Sequence, residues 1–388
     1  MGGIAAGWRA LAANDHRAAS SVRGLIAKKF GANDVLLTDS GTSALTLALR
    51  MLCRDRSNRL VALPAYGCYD IATAADGADV EVVLYDVSPH TLGPDVNSMQ
   101  RVLSQQPAVV VLAHLYGVPV NLDVVLQLCE SHATAVVEDA AQGHGAAYGG
   151  LPLGSFGTVA VLSFGRGKGV TGGAGGALLS THQNGTEVIG SAAEATGVPR
   201  RGIRQLIGAT AQWVLGSPWM YGIPASLPFL HLGETIYREP DQPLKMTPTA
   251  VAVLARTWKV AETESIRRKA AAAVLLEHVR ASQMADPVDP PPGCEPGYLR
   301  LPIIVREQAV ARFRTPRARR LGVMPGYPVA LPDLRGFEQR CCNPGDSFVG
   351  ARTLAARLFT IPTHSRLSVE DLSRLRELLC GSGTNNGT

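Results

Sequence analysis

Short apolar runs alternate with segments of helical periodicity from about residue 35 to residue 180. Several runs are apolar without alternation, which is typical of strands that are buried on both faces. Segments such as Ser43–Leu52 and Asp123–Ser131 repeat their apolar positions at helical spacing. The pattern predicts an α/β fold with a mostly parallel, doubly wound sheet of seven strands. Strands are expected at residues 35–38 (VLLT), 60–64 (LVALP), 81–87 (EVVLYDV), 108–115 (AVVVLAHL), 135–140 (AVVEDA), 158–164 (TVAVLSF) and 175–180 (GGALLS).

The second half of the chain contains one long helical pattern and then a smaller unit. Apolar positions recur at helical spacing from Thr247 to Ser282, and Pro248 suits a first turn. A helix of that length is a rod of about 50 Å, which is long enough to connect two domains. The proline-rich stretch Pro287–Gly293 indicates a linker. A smaller C-terminal α+β domain is expected after it, with a last helix that Ser368 caps.

These patterns divide the chain into four parts. We expect an N-terminal arm (1–20), a large domain (21–246), a long linking helix with the small domain (247–380), and a flexible tail (381–388). The large domain carries an apolar helical insert at 190–240, whose core Leu206–Leu230 contains three prolines and is a poor transmembrane span. The insert is expected to pack on a partner subunit, and attachment to a membrane surface is the alternative.

Composition narrows the class of protein. The 388 residues carry a formal net charge of +5 without a basic block that alternates with aromatic residues, so a nucleic-acid partner is not expected. The densest basic run, Arg312–Arg320, reads as a solvated face, with anion binding as the alternative. Seven scattered cysteines without a C-x-x-C motif, together with the lack of a signal-peptide pattern, favour reduced thiols and a cytoplasmic location.

A glycine-rich stretch, Val161–Ser180, surrounds Lys168. It does not match the phosphate-binding pattern G-x-x-x-x-G-K-[ST], because Leu162 and Gly169 occupy required positions. The dinucleotide pattern G-x-G-x-x-G fails as well, at Val170. The lysine therefore needs a different explanation.

Four polar features lie where predicted strands end, the place where open parallel sheets bind ligands. They are Ser40–Ser43, Tyr66–Tyr69, Asp139–Gln142 and Ser163–Lys168. Taken singly, they could be a helix cap, a packed aromatic pair, a buried carboxylate that caps a helix, and a surface lysine. Taken together, they offer a phosphate cup at a helix start, an aromatic lid, an aspartate for a ring nitrogen and a lysine for a Schiff base. Pyridoxal phosphate requires these groups.

Four motifs in this order resemble those of the DegT/DnrJ/StrS family of sugar aminotransferases, which have the fold type I architecture. They are SGTSAL (40–45), HLYGVPVNLD (114–123), VVEDAAQGHGAAYGG (136–150) and SFGRGKGVTGGAGGALLS (163–180). The resemblance covers residues 20 to 380 and is more specific from 35 to 180. It implies a homodimer with shared active sites.

The resemblance also assigns roles at the matching positions. It implies that Lys168 forms the Schiff base and carries a proton, and that Asp139 pairs with the pyridinium nitrogen. Gln142 would lie near the phenolic oxygen of the ring. The phosphate would be held by Ser163, Thr42 and Ser43, at the turn that Gly41 makes. For His144 the structural role is favoured, and His114 and Tyr116 are expected to shape the pocket.

The sequence departs from the family in two parts of the site and in the insert at 190–240, for which the family offers no counterpart. Cys68 stands where members usually carry the aromatic residue that stacks on the cofactor, so Tyr69 or Tyr66 must supply the stack, and Tyr69 is favoured. Pro243 and Lys245 stand where members often carry an Asn and an Arg that serve the neighbouring subunit, which leaves Lys245 for that role.

The function that the resemblance implies is amino transfer from an amino acid, with glutamate favoured, to a keto-sugar or similar carbonyl compound that could be nucleotide-linked. A pyridoxal-phosphate lyase or dehydratase is an alternative, although dehydratases of the family replace the lysine that is intact here as Lys168. A non-catalytic cofactor-binding regulatory protein is the third possibility.

Overall fold

The computed structural model describes residues 16–199 and 237–380. The strands, in chain order, are β1 Asp34–Thr38, β2 Leu60–Pro64, β3 Glu81–Tyr85, β4 Val109–Ala113, β5 Ala135–Asp139, β6 Ala147–Tyr148, β7 Leu151–Pro152, β8 Val159–Ser163, β9 Gly176–Ser180, β10 Ala285–Pro287, β11 Cys294–Glu295, β12 Leu301–Val305, β13 Met324–Pro325 and β14 Leu358–Ile361. The α-helices are α1 His16–Phe30, α2 Gly41–Leu52, α3 Tyr69–Ala78, α4 Val96–Leu103, α5 Leu122–Ser131, α6 Gln183–Ala195, α7 Pro248–Arg280, α8 Val310–Phe313, α9 Pro316–Arg320, α10 Val349–Arg357 and α11 Val369–Cys380.

All seven strands expected from the apolar runs form one sheet, in the order β1-β9-β8-β5-β4-β2-β3. Neighbours from β8 to β3 pair in parallel, whereas β9 is antiparallel to both β1 and β8. The strand β1 therefore runs in the same direction as β8. As a result, the carboxyl ends of β1, β2, β4, β5 and β8 meet at one edge of the sheet, where polar side chains were expected to converge.

Two strands end earlier than their apolar runs suggest. The strand β3 stops at Tyr85 because the carboxylate of Asp86 accepts hydrogen bonds from the N–H groups of Gly350 (2.9 Å) and Ala351 (2.8 Å), in the first turn of α10. The strand β4 stops at Ala113, and the chain then turns through a short 3-10 helix at residues 115–117. A polar contact across the fold thus follows β3, whereas a tight turn follows β4.

The long helix α7 was predicted correctly. The side chain of Thr247 accepts a hydrogen bond from the N–H group of Ala250, and Pro248 occupies the first turn, where its missing N–H is tolerated. The 33 residues of α7 span about 50 Å. The last helix, α11, begins after Ser368, whose hydroxyl accepts from the N–H group of Asp371 at 3.0 Å, so the expected cap is present.

A second, smaller hydrophobic core lies at the C-terminal part of the chain. It packs the end of α7 against an antiparallel sheet of order β10-β12-β14-β13 and against α11, with fully buried side chains such as Ile303, Phe359 and Leu375. This arrangement is the smaller α+β unit that the sequence predicts.

A segment that follows β13 returns to the first core, which is the larger one and packs around the seven-stranded sheet. Tyr327, Leu331 and Phe337 are buried among residues of the large sheet, and the N–H group of Leu331 donates to the carbonyl oxygen of Ala65 at 2.8 Å. The return brings C-terminal residues to the edge where the parallel strands end.

Three of the expected features lie wholly or mostly outside the described residues. They are the first fifteen residues of the N-terminal arm, positions 200–236 of the apolar insert, and the tail at 381–388. In the described ranges, none of the helices combines the length and apolar character that a membrane crossing requires. All seven cysteines lie in these ranges and are free thiols.

Candidate active site

The start of α2 and the end of β8 are in contact at the carboxyl edge of the sheet. A β-carbon on Gly41 would lie 2.9 Å from the Cβ atom of Ser163 and 3.1 Å from its Oγ atom. The hydroxyl of Ser163 has no hydrogen-bond partner in the described part of the chain. The contact between Gly41 and Ser163 lies at the start of α2, where the N–H groups and the dipole of the helix favour an anion. The structure thus brings together the residues that were expected to hold a phosphate.

The N–H group of Ser43 is not free, because it donates to the Oγ atom of Ser40 at 3.0 Å. Ser40 is the N-cap of α2, and its hydroxyl also donates to the hydroxyl of Ser43 at 2.9 Å. Ser43 keeps its own hydroxyl proton for donation, and Thr42 beside it is half-buried.

The two acidic residues that end β5 have different surroundings. Glu138 is completely buried and accepts hydrogen bonds from the N–H groups of Gly154 (2.6 Å) and Phe156 (2.8 Å) and from His114. The Nδ1 atom of His114 accepts from the N–H group of Val120 at 3.3 Å, so Nε2 carries the hydrogen and donates to Glu138. Glu138 and His114 are therefore structural.

Asp139 is the carboxylate that remains available to a ligand. One of its oxygens accepts from the N–H group of Ala141 at 3.0 Å, and the other has no partner in the described ranges. Burial raises the pKa of Asp139, while the Ala141 N–H group and the charge of Lys168 oppose the rise. An opposite charge on a ligand atom would relieve the cost of burial.

Lys168 lies in the turn that joins β8 to β9 and is half-buried. Gly167 and Gly169 on either side of it have φ angles of 74° and 83°, a left-handed conformation that glycine adopts without strain. Burial and the charge of Asp70 raise the pKa of Cys68 to about 12, and the Lys168 charge acts against this rise. Because Lys168 follows β8, which pairs in parallel with β5, it lies at the carboxyl edge of the sheet near the end of β5.

Both ends of the Gln142 amide are hydrogen-bonded. Its Oε1 atom accepts from the N–H group of Tyr116 at 2.9 Å, and its Nε2 atom donates to the hydroxyl of Tyr327 at 2.8 Å. The ring of Tyr327 stacks on Tyr116, with ring centroids 6.0 Å apart. One Nε2 hydrogen of Gln142 is left for a ligand. Nothing in the sequence pattern singled out Tyr327, which lies 185 residues from Gln142.

The two tyrosines expected to stack on the cofactor are both held by the returning segment. The hydroxyl of Tyr66 accepts from the N–H group of Tyr327 at 2.9 Å, and Tyr66 is completely buried. The hydroxyl of Tyr69 donates to the carbonyl oxygen of Val329 and accepts from its N–H group. The choice of Tyr69 over Tyr66 as the stacking residue stays a prediction.

Two further residues of the sequence analysis have clear positions. Lys245 is exposed and pairs its backbone with Thr38 at the end of β1. His144 packs its ring edge against Trp258 of α7, with ring centroids 6.3 Å apart. Burial and the charges of Arg268 and Lys29 lower the pKa of His144 to about 4, which fits a neutral structural histidine.

Residues 21–379 match the DegT/DnrJ/EryC1/StrS aminotransferase family. The chain belongs to this family. Membership confirms the family that the four motifs indicated, the fold type I α/β architecture and pyridoxal phosphate as the cofactor.

Two curated relatives are L-glutamine:2-deoxy-scyllo-inosose aminotransferases. The enzyme of Streptomyces lividus is 32% identical over 141 residues, which are 36% of this chain and 33% of the relative. The enzyme of Micromonospora echinospora is 33% identical over 143 residues, which are 37% of this chain and 34% of the relative. The aligned stretch thus spans about a third of each relative.

A solved structure resembles the whole chain. The sugar aminotransferase CalS13 of Micromonospora echinospora superposes with a TM-score of 0.77 at 18% identity, covering 98% of this chain and 96% of its own. At this identity the likeness supports the fold alone.

The residues that meet at this edge of the sheet fit pyridoxal phosphate. The missing side chain of Gly41 leaves the Ser163 hydroxyl open to a phosphate group, and Asp139 keeps one oxygen for a cationic ring atom. Gln142 keeps one N–H group for an acceptor on the ring, and Lys168 supplies a primary amine at the same edge. Each group therefore matches one part of the cofactor.

Proposed function

We propose that the protein is a pyridoxal-phosphate-dependent aminotransferase in which Lys168 carries the covalent link to the cofactor. The observation that carries the proposal is geometric: β5 and β8 run in parallel side by side, so Asp139, whose carboxylate has an unused oxygen, and Lys168, in the turn after β8, lie at the same edge of the sheet. An amine and a half-buried carboxylate at one edge of the sheet, with the open hydroxyl of Ser163 at the adjoining helix start, form a site for a ring that has an aldehyde, a basic nitrogen and a phosphate.

Bound pyridoxal phosphate supplies an electron-withdrawing ring, which allows an amino group to leave one carbon and to be added to another. Asp139 keeps the ring nitrogen positively charged, and Gln142 orients the phenolic oxygen. Gly41, Thr42, Ser43 and Ser163 hold the phosphate. Lys168 also moves the proton at the substrate carbon that exchanges the amino group. Tyr69, or Tyr66, packs against a face of the ring.

We further propose a donor of the glutamate or glutamine type and an acceptor that is a keto-sugar or a cyclitol ketone. The names of the two curated relatives support this class, because their donor is L-glutamine and their acceptor is an inosose. The acceptor could also carry a nucleotide, as the resemblance implied. We propose a homodimer whose sites are shared through the exposed Lys245.

The test is spectroscopic. The protein purified with pyridoxal phosphate is expected to be yellow, and the colour is expected to bleach when L-glutamate or L-glutamine is added. Borohydride is expected to fix one cofactor per chain in the wild type and in Lys259→Ala, a variant of an exposed lysine of α7, but not in Lys168→Ala. A yellow protein that no amino acid bleaches would indicate a binding protein, and labelling that persists in Lys168→Ala would exclude Lys168 as the linking residue.

A further inference from the structure

A cavity of about 580 Å³ lies at the edge of the large sheet where β2 and β3 begin, and we call it the amino-edge cavity. Residues 57–59, 79–81 and 339–342 line it, so it joins the starts of β2 and β3, the end of α3 and a C-terminal segment. Since β2 and β3 are parallel and the five residues of β2 span about 16 Å, the cavity is separate from the site of Asp139 and Lys168.

Hydrogen bonds and ion pairs hold the walls of the amino-edge cavity in place. The N–H group of Cys342 donates to the carbonyl oxygen of Val82 at 2.7 Å, which fastens the C-terminal segment along the outer edge of β3. Arg340 forms ion pairs with Asp76 at 2.5 Å and with Asp79 at 3.2 Å, at the end of α3. Three distant parts of the chain therefore build the cavity together.

One cation and one anion at the amino-edge cavity remain available to a ligand. Arg340 is neutralised by its two aspartates. Arg59 donates from Nη2 to the carbonyl oxygen of Ala78 at 3.0 Å, and it has no acidic partner in residues 16–199 and 237–380. In the same ranges, the carboxylate of Glu81 has neither a hydrogen bond nor an ion pair.

Arg59 and Glu81 are neighbours in the register of the sheet. Leu60, which follows Arg59, is the pairing partner of Glu81 between β2 and β3, and adjacent strands are about 4.8 Å apart. Even so, these two described side chains form no ion pair with each other. A ligand that carries both a carboxylate and an ammonium group would give each of them a charge-assisted hydrogen bond.

We propose that the amino-edge cavity is a second binding site, for a small α-amino acid whose carboxylate lies on Arg59 and whose ammonium group lies on Glu81. The hydroxyl of Ser57 and the amide of Gln339 also line the cavity and serve a polar side chain of the ligand. The volume falls in the range of roughly 300–1,000 Å³ that small-molecule sites have. Glutamate and glutamine, the proposed donors, belong to this class, but the site does not depend on amino transfer.

The test is a calorimetric titration with L-glutamine of holoenzyme that borohydride has reduced, in which the donor does not react. The wild type is expected to bind L-glutamine at the amino-edge cavity. Arg59→Met and Glu81→Gln are each expected to weaken this binding about tenfold or more, because each removes one charge-assisted contact. Arg56→Met and Glu187→Gln change exposed charges outside the cavity, and both are expected to bind like the wild type.

Three results would overturn the inference. They are the absence of L-glutamine binding in the millimolar range, binding that Glu81→Gln leaves unchanged, and equally tight binding of inorganic phosphate or putrescine, which satisfy only one of the two charges. Glu81 is exposed and makes no side-chain contact with a polar group in the described part of the chain, so Glu81→Gln is expected to fold normally. A protein without a borohydride-fixed cofactor would contradict the proposed function alone, because the variants locate the cavity independently.

Discussion

Glu138 and Asp139 are consecutive residues of β5, yet only Glu138 has its carboxylate saturated with hydrogen bonds. Glu138 accepts from backbone N–H groups of residues 154–157 and from His114, whereas Asp139, within residues 16–199 and 237–380, accepts from Ala141 alone. Side chains of neighbouring strand residues point to opposite faces of the sheet, so a single acidic pair can serve the fold with one member and the ligand with the other. Replacing the carboxylate of Glu138 by an amide is therefore expected to affect the stability of the fold, and the same change at Asp139 is expected to affect the reaction.

Asp139→Asn is expected to lower the rate of amino transfer by about two to four decades, since a buried cationic ring would lose its counter-charge, a loss of roughly 3–5 kcal/mol. The cofactor-free variant is expected to be at least as stable as the wild type at pH 7. The raised pKa of Asp139 means that the wild type loses stability as the pH rises from about 4 through that pKa, and the amide has no such dependence. Steady-state kinetics and denaturation between pH 4 and pH 7 measure the two effects.

Glu138→Gln is the matched control for that variant. The new amide would place an NH2 group against the N–H groups of the Gly154–Gly157 turn, which costs about 1–3 kcal/mol for a buried donor without an acceptor. A lower Tm in the cofactor-free protein is therefore expected for Glu138→Gln and not for Asp139→Asn. Equal destabilisation by both would contradict the division of roles.

Gly41→Ala is expected to weaken retention of the cofactor by tenfold or more. The added methyl group would enter the space between α2 and Ser163, at 2.9 Å from the Ser163 Cβ atom, and would displace the hydroxyl that is proposed to bind phosphate. Ser163→Ala is expected to weaken retention by about tenfold without strain, because it removes one hydrogen bond of roughly 1.4 kcal/mol. Equilibrium dialysis of the cofactor gives both dissociation constants.

Gly190→Ala is the control for the glycine variant. Gly190 lies in α6 with no atom within 4 Å of its β-carbon position, so alanine is expected to stabilise the helix by about 0.5–1 kcal/mol and to leave cofactor retention unchanged. Wild-type retention in Gly41→Ala would show that the phosphate lies elsewhere.

The large sheet could be predicted closely from the sequence because buried parallel strands are uninterrupted apolar runs that end in polar residues. The same reasoning placed Asp139, Ser163 and Lys168 at strand ends, which the topology brings to one edge. Strand ends were less predictable. Asp86 belongs to an apolar run by position, but it leaves the strand to cap a helix more than 260 residues away along the chain.

Most of the features that could not be predicted from the sequence depend on contacts between distant parts of the chain. Tyr327 reaches Gln142 because the segment after β13 returns to the first core, and no local periodicity encodes such a return. The burial of Arg268 could not be predicted from the sequence for a related reason. In the helical pattern of α7 it is one of two adjacent arginines, and only the packing of Gly145 and Gly169 distinguishes them.

Tyr327→Phe is expected to weaken cofactor retention by about tenfold with little loss of stability. The hydroxyl of Tyr327 accepts from the Nε2 atom of Gln142, and without it the amide can rotate away from the ring oxygen. Tyr148→Phe, at a tyrosine of β6 whose ring packs edge-on against Phe156 outside the site, is the control and is expected to retain the cofactor normally. If both variants bind the cofactor like the wild type, Tyr327 is only a packing residue.

His144→Gln is expected to make the protein less sensitive to acid. Burial and the charge of Arg268 hold the native pKa of His144 near 4, below the ordinary value of 6.5. The native state therefore binds this proton less tightly than the unfolded chain, so stability that is present above pH 6.5 is lost as the pH falls toward 4, by at most about 3 kcal/mol. Thermal denaturation at pH 7.5 and pH 4.5 should show a smaller difference for His144→Gln than for the wild type and for the exposed control His90→Gln. An equal acid sensitivity in all three proteins would mean that the pKa of His144 is the same in the native and unfolded states, contrary to this prediction.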